Sequence, residues 1–463
     1  MDFFSSPSRA SARQPARYMR FDRARQFQLL IVIALLAGGG GVAYGFANLA
    51  VQLTALALLA ANLPAVGAFF FRPQSIALTI LCTASLALPL FQIIPLPSTL
   101  WTELPGRQIV HQSLMISGGL GWFPFSLDSA RTLVAFLGLL LPMAIIAVGA
   151  SLSREALMRA CRTVVAIGVA GFALGAVQVL SSGQVGLLYP ENPMPGVMFT
   201  TFANRNSAGL FMVCCLIMLA TLPIGHPARR QLLMRAGVGA LLTLGVFLTQ
   251  SRSSMVLLIV PAMLALLQAG TFGQAHKSGK SVSRKTPAKF YFGGAGLLVA
   301  ALVAAVALLP ASRISTSLER FSHTSDARAM IWDDSLFAAK RYWPAGAGMG
   351  TFDEVFQVDE SLEHLSPRTA GRAHNDYIEI AIEAGAAGLA LVAFWAALVL
   401  WLTVKARKSP DRQLGWGCAA ILMCMALQSG LDYPLRSQAI LGLAALALAV
   451  LVRVANPDEG ERS

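Results

Sequence analysis

Charge is scarce in this sequence. Asp, Glu, Lys and Arg make up 13% of its 463 residues, about half of what a soluble globular chain carries. The deficit excludes a soluble enzyme and a charged disordered chain. Cysteine is equally uninformative as a scaffold. Cys82, Cys161, Cys214, Cys215, Cys418 and Cys424 all fall in or beside apolar runs with no CxxC spacing. They read as buried thiols rather than disulfides or metal ligands. No HExxH, GxSxG or Asp-x-Asp pattern is present, so no metal site and no serine nucleophile are indicated. The first 27 residues hold six arginines, and the apolar run that follows is too long for a signal peptide and has no A-x-A site.

Long apolar runs fill the space that charge leaves. Hydrophobic residues make up 56% of the chain, and segments of about membrane-spanning length fall at 28–47, 49–71, 75–97, 131–149, 161–181, 203–223, 233–249, 253–269, 290–309, 376–402, 413–430 and 435–453. The fold class is therefore an all-α polytopic membrane protein with about twelve spans. The first two are the hardest to separate because of the Gly38–Gly41 run. With the N-terminus inside, the inner connections hold 24 of the 36 Lys and Arg. That asymmetry puts both termini on the cytoplasmic side. It also accounts for the net charge of +13 without nucleic acid, because the basic residues sit between spans. The expected organisation is a basic N-tail (1–27), spans one to nine (28–309), a partly helical outer cap (310–375), spans ten to twelve (376–453) and a short C-tail (454–463).

Four outer segments carry residues suited to chemistry. In the first, Phe202-Ala203-Asn204-Arg205-Asn206-Ser207 opens the sixth span. An arginine beside free backbone N–H groups at a helix N-terminus suits a phosphate or diphosphate. The same residues also suit plain capping by Asn206 or Ser207, with Arg205 reaching to the interface. In the second, Thr249-Gln250-Ser251-Arg252-Ser253-Ser254 repeats that combination in a turn that needs no charge, and a polar hairpin is the plainer reading.

The third is Arg372-Ala373-His374-Asn375-Asp376-Tyr377. Asp376 and Glu379 have capping-box spacing, so a span begins there. Asp376, Glu379 and Glu383 share one helix face running about 10 Å inward, and carboxylates at that depth face the protein interior or a wet cavity. Gly385 and Gly388 allow close helix packing. His374, just ahead, is a candidate general base near neutral pH. The fourth joins Arg328 and Trp332 to Pro344-x-Gly346-x-Gly348-x-Gly350-x-Phe352. Its glycines read as a structural turn, since they match no dinucleotide or phosphate-loop pattern.

Taken in chain order, these segments resemble the O-antigen ligase and O-antigen polymerase-like superfamily of bacterial envelope glycosyltransferases. The nearest echo is His374-Asn375 followed by Gly385-x-x-Gly388. Pro95-Leu96-Pro97 and Asp432-Tyr433-Pro434 are weaker matches. The resemblance implies a metal-independent, inverting enzyme of the inner membrane with its active site facing the periplasm and no cofactor. It would move a glycan from an undecaprenyl diphosphate donor to an acceptor hydroxyl, on lipid A-core or another glycan. In that reading His374 is the base and Arg205 and Arg252 bind the diphosphate. Asn204, Arg328, Arg372, Asn375, Asp376, Tyr377 and Glu379 support or position the acceptor. An O-antigen or exopolysaccharide polymerase is the main alternative. A protein O-oligosaccharyltransferase and a lipid-linked glycan transporter rank lower, the latter because the polar residues gather at one face instead of the midplane.

Overall fold

The computed structural model describes residues 22–41, 44–71, 75–119, 121–189, 194–223, 228–277, 325–364 and 370–457. The chain is a bundle of helices: α1 (Arg23–Ala37), α2 (Gly45–Ala61), α3 (Leu63–Phe71), α4 (Ile76–Ile93), α5 (Ser98–Trp101), α6 (Gln108–Ile116), α7 (Ser129–Gly138), α8 (Leu140–Gly149), α9 (Arg154–Leu180), α10 (Arg205–Thr221), α11 (Ala228–Leu248), α12 (Arg252–Leu257), α13 (Ile259–Lys277), α14 (Ser325–Tyr342), α15 (Phe352–Asp359), α16 (Asp376–Ala406), α17 (Arg412–Ser429) and α18 (Gln438–Ala455). Two short strands, β1 (Pro95–Pro97) and β2 (Trp122–Pro124), pair antiparallel with Leu96 opposite Phe123. This small hairpin is a departure from the all-α expectation.

Among the described residues, six helices or helix pairs are long and apolar enough to cross a membrane: Ile76–Ile93, Ser129–Gly149, Arg154–Leu180, Arg230–Leu248, Asp376–Ala406 and Gln438–Ala455. A helix lies in each expected span within the described residues, but several differ from a straight crossing. The first apolar stretch ends at Ala37 in a turn of 3-10 helix, Gly38–Gly40, and the second begins at Gly45, so the division falls earlier than 47–49. The second is itself bent by 80° between α2 and α3. The stretch at 253–269 divides into α12 and α13. The expected span at 290–309 lies outside the described residues, as do 310–324 of the expected cap.

Two helices make the centre. Every residue of α10 from Ser207 to Met218 is buried, as is most of α18, the pattern of helices apolar on all sides. Around α10 pack α9, α11, α13 and α17, while α1, α8, α16 and α17 surround α18. Small residues permit the close approach on which helix association in lipid depends. A Cβ added at Gly417 would come within 2.3 Å of the Thr221 hydroxyl, and one at Gly209 within 2.5 Å of the Ser254 hydroxyl. All six cysteines are free and buried, as the apolar surroundings of each suggested.

Helix starts follow local chemistry. Ser75, Asp128, Ser153, Asn204, Ser251 and Asn375 each accept a backbone N–H of the first turn, the usual role of these residue types at an N-cap. Two of these caps correct the sequence reading. Asn204, rather than Asn206 or Ser207, caps α10. Asn375, rather than Asp376, caps α16 by accepting from the Tyr377 and Ile378 N–H groups at 3.0 and 3.2 Å.

Candidate active site

The four segments singled out above converge at one end of the bundle, where α10, α12 and α16 begin. The meeting point is Asp432, in the turn between α17 and α18. Its side chain is 2% exposed and accepts from Asn206 Nδ2 at 2.8 Å and Asn204 Nδ2 at 3.1 Å on Oδ2. On Oδ1 it meets His374 Nδ1 at 3.2 Å. One carboxylate therefore ties the mouth of α10 to the loop before α16. Burial works to raise this carboxyl, but the hydrogen bond and charge of His374, the bond from Asn206 and the charge of Arg328 outweigh it. Together they hold Asp432 below the ordinary carboxylate range.

His374 has a left-handed backbone, φ +49°, a conformation that histidine tolerates better than most side chains. Its ring is about one-third exposed and packs 5.1 Å from the ring of Tyr433. Trp332 fixes the preceding residue, donating from Nε1 to the Ala373 carbonyl at 2.9 Å. The Arg328–Trp332 pair thus works in two ways: the arginine's charge reaches Asp432 and the indole pins the histidine loop.

Arg205 and Arg252 are each the first residue of a helix, α10 and α12. Their turns touch. Ser254 Oγ donates to the Asn206 carbonyl at 3.4 Å, and Gln428 Nε2 donates to the same carbonyl at 2.9 Å. Ser253 Oγ in turn donates to Gln428 Oε1 at 3.3 Å. Two helix N-termini, each led by an arginine, therefore flank Asn206, one residue contact away from Asp432 and His374. Helix N-termini carry N–H dipoles that favour an anion, and an arginine as first residue adds positive charge to each.

The acidic stripe on α16 does face inward. Asp376, Glu379 and Glu383 are 2%, 0% and 0% exposed. Their counterion is Arg436, from the turn before α18, which reaches Asp376 at 3.5 Å, Glu379 at 3.2 Å and Glu383 at 2.9 Å. Arg372 adds a second contact to Glu379 at 3.1 Å, and Ala373 N–H donates to the same carboxylate at 3.0 Å. Glu379 therefore reaches back past the cap position to hold the histidine loop. It does not close a capping box with Asp376. Asp376 is fixed by Ser429 Oγ at 2.8 Å. Tyr377 points elsewhere, its hydroxyl donating to the Ala426 carbonyl at 2.7 Å, and Asn375 Nδ2 donates to the Gly430 carbonyl at 3.1 Å. These contacts tie α16 to the end of α17, and neither residue contacts the histidine ring through them.

The glycine-rich run is structural. Gly385 breaks the helical dihedrals of α16 at φ +55°, ψ −142°, and a Cβ there would lie 2.0 Å from the Pro344 carbonyl oxygen. Into the break fits the 344–348 loop. Ala386 N–H donates to Pro344 O, Ala347 N–H to Ile382 O and Gly348 N–H to Glu383 O, at 2.8–2.9 Å. Gly385 thus admits a loop, whereas a Cβ at Gly388 would meet Ala384 and Ile380 of its own helix.

Sequence reasoning placed His374, Arg205, Arg252, Asn204 and Arg328 at this end but missed the two residues that organise it, Asp432 and Arg436. In the sequence Asp432-Tyr433-Pro434 is only a weak match to the family's pattern. A buried-charge count would have found Arg436, since three inward carboxylates demand a cation.

Comparison with known families points the same way. The O-antigen ligase family model matches residues 237–393. Over that segment the chain is similar to the O-antigen ligase family. The matched segment contains Arg252, Arg328, Arg372 and His374, whereas Arg205, Asp432 and Arg436 lie outside it. No curated protein matches the chain. Together with the apolar helices, this similarity supports a multi-pass membrane protein, one segment of which resembles the ligase and polymerase type of membrane glycosyltransferase.

Proposed function

We propose that the protein is an inner-membrane O-antigen ligase. In this reading it has about twelve spans, both termini are cytoplasmic, and the site described above opens to the periplasm beneath a cap formed by residues 310–375. The donor is a glycan on undecaprenyl diphosphate and the acceptor a hydroxyl of lipid A-core. The observation that carries this reading is the buried Asp432, which holds His374 beside two arginine-led helix N-termini.

The chemistry follows from that arrangement. With Nδ1 donating to Asp432, the ring presents Nε2 as the acceptor for a proton, and the carboxylate stabilises the imidazolium that forms. The acceptor oxygen attacks the anomeric carbon as Nε2 takes its proton. The bond from that carbon to the diphosphate oxygen breaks on the opposite face, and its electron pair leaves with the diphosphate. Arg205 and Arg252 bind the departing charge, assisted by the dipoles of α10 and α12. Direct displacement inverts the anomeric centre. Asn204 and Asn206 hold Asp432 in place, while Arg372, Glu379 and Trp332 hold the histidine loop. Asn375, Asp376 and Tyr377 set the start of α16, and Arg328 supplies charge beside Asp432.

A gel of envelope polysaccharide from a deletion strain separates the ligase reading from its neighbours. Loss of long-chain lipopolysaccharide with polymerised glycan left on the lipid carrier supports a ligase. Lipid A-core bearing a single repeat unit would instead mean a polymerase. An unchanged profile would contradict both and point to another glycan acceptor.

A further inference from the structure

The connection from α4 to α7, residues 94–128, has a fixed root and a bare tip. At the root, Arg107 is 0% exposed and donates to the carbonyls of Phe125 at 2.7 Å and Gly346 at 3.1 Å. The rings of Trp101, Phe125 and Tyr342 surround its guanidinium at 5.7–5.8 Å. Burial lowers this group to about 10, which leaves it charged at neutral pH. Trp101 Nε1 donates to the Pro124 carbonyl at 2.8 Å, and Leu127 N–H to Ala347 O at 2.8 Å. The root thus rests on the loop that fills the Gly385 break, at the same end of the bundle as His374.

The tip has the opposite character. No residue of α6 is buried, and Ile109, Met115, Ile116 and Trp122 are exposed, Ile116 at 90%. Between Arg107 and Asp128 the sequence has no Asp, Glu, Lys or Arg. A tip held in water would carry charge, and one packed on protein would be buried. Exposed apolar side chains continue along the chain on both sides, through Ile94 and Leu100 to Leu90 and Phe91 of α4, and to Leu133 and Val134 of α7. Both of those helices belong to candidate membrane spans.

We propose that α6 and Trp122 form an interfacial anchor whose partner is the lipid surface at the site end of the bundle. At nine residues and about 1.5 Å per residue, α6 is far too short to cross, so it lies along the surface. Its apolar side chains are interspersed with Gln108, His111, Gln112 and Ser113, a mixture suited to the headgroup layer, where tryptophan also gathers. Because the root is rigid, the anchor sets the height of the 344–348 loop, and with it the upper part of α16, relative to the bilayer.

Spin labelling tests this in the full-length protein reconstituted into phospholipid vesicles. The native cysteines are all buried, so single cysteines are placed at Ile116, at the exposed Leu400 of α16 as a lipid reference, and at the exposed Lys408 as a water reference. Collision with oxygen and with a water-soluble nickel complex is then measured at each. The anchor requires Ile116 to resemble Leu400, favouring oxygen. A label at Ile116 that favours nickel, as at Lys408, would overturn the proposal. So would one shielded from both reagents, since that means a protein cover. No step of the measurement depends on glycosyl transfer.

Discussion

His374 and Asp432 have unequal surroundings, and the difference bears on how the site responds to pH. The histidine ring is partly exposed, while the carboxylate is almost fully enclosed and bonded on both oxygens. Asp432 is held below the ordinary carboxylate range, so its folded form favours the ionised state. The stability this contributes is fully present above the unfolded value of about 3.9 and is lost as pH falls through the lower folded value. The difference in thermal midpoint between wild type and Asp432→Asn should therefore persist from pH 8 down to pH 5 and shrink only below about pH 4. A difference that already disappears near pH 6 would mean that the carboxyl is not held down by its neighbours. The residues most legible from sequence were those whose type and place already imply chemistry, such as His374 and the two arginines beginning helices. Asp432 was not, because its role comes from contacts with residues 58 and 226 positions away, which no local spacing reveals.

At the scale of elements, the decisive unit is the 430–437 turn between α17 and α18. It delivers Asp432 to the histidine and Arg436 to the stripe on α16, so one short segment joins the base, the acid stripe and the mouth of α10. Arg436 pairs with the buried carboxylates of Glu383, Glu379 and Asp376 at 2.9, 3.2 and 3.5 Å. Removing that charge leaves three buried carboxylates with Arg372 alone. Arg436→Met should cost about 3–5 kcal/mol, the usual penalty for an orphaned buried charge, and should be read as a large fall in the thermal midpoint or in folded yield. A variant as stable as wild type would show that the stripe does not depend on this cation. Periodicity alone foretold that the stripe faces inward, because Asp376, Glu379 and Glu383 share a helix face. The broken helix at Gly385 was not foretold: Gly385-x-x-Gly388 reads equally well as a helix-packing motif, and only the docked 344–348 loop separates the two.

At the scale of the whole molecule, a helix lies in each expected apolar segment among the described residues, and six helices are long and apolar enough to cross a membrane, since hydropathy reports burial in lipid or protein with little regard to context. Boundaries were less legible wherever glycine or a sharp bend interrupts an apolar run, as at Gly38–Gly40 and between α2 and α3. The hairpin of β1 and β2 was hidden because three-residue strands carry no usable period. The orientation inferred from Lys and Arg predicts opposite sides for the termini and the site. With single cysteines at Lys408 and at Ser361, an impermeant thiol reagent added to intact spheroplasts should label Ser361 and spare Lys408 until the membrane is opened. The reverse pattern would invert the topology.

Glycosyl transfer by the purified protein in liposomes, with a lipid diphosphate-linked glycan as donor, tests the central claim most directly. His374→Ala should lower the rate by about 10²–10⁴-fold, the usual contribution of a positioned base, while leaving the protein folded and inserted. A His374→Ala protein that transfers glycan at the wild-type rate would contradict the assignment of His374 as the base.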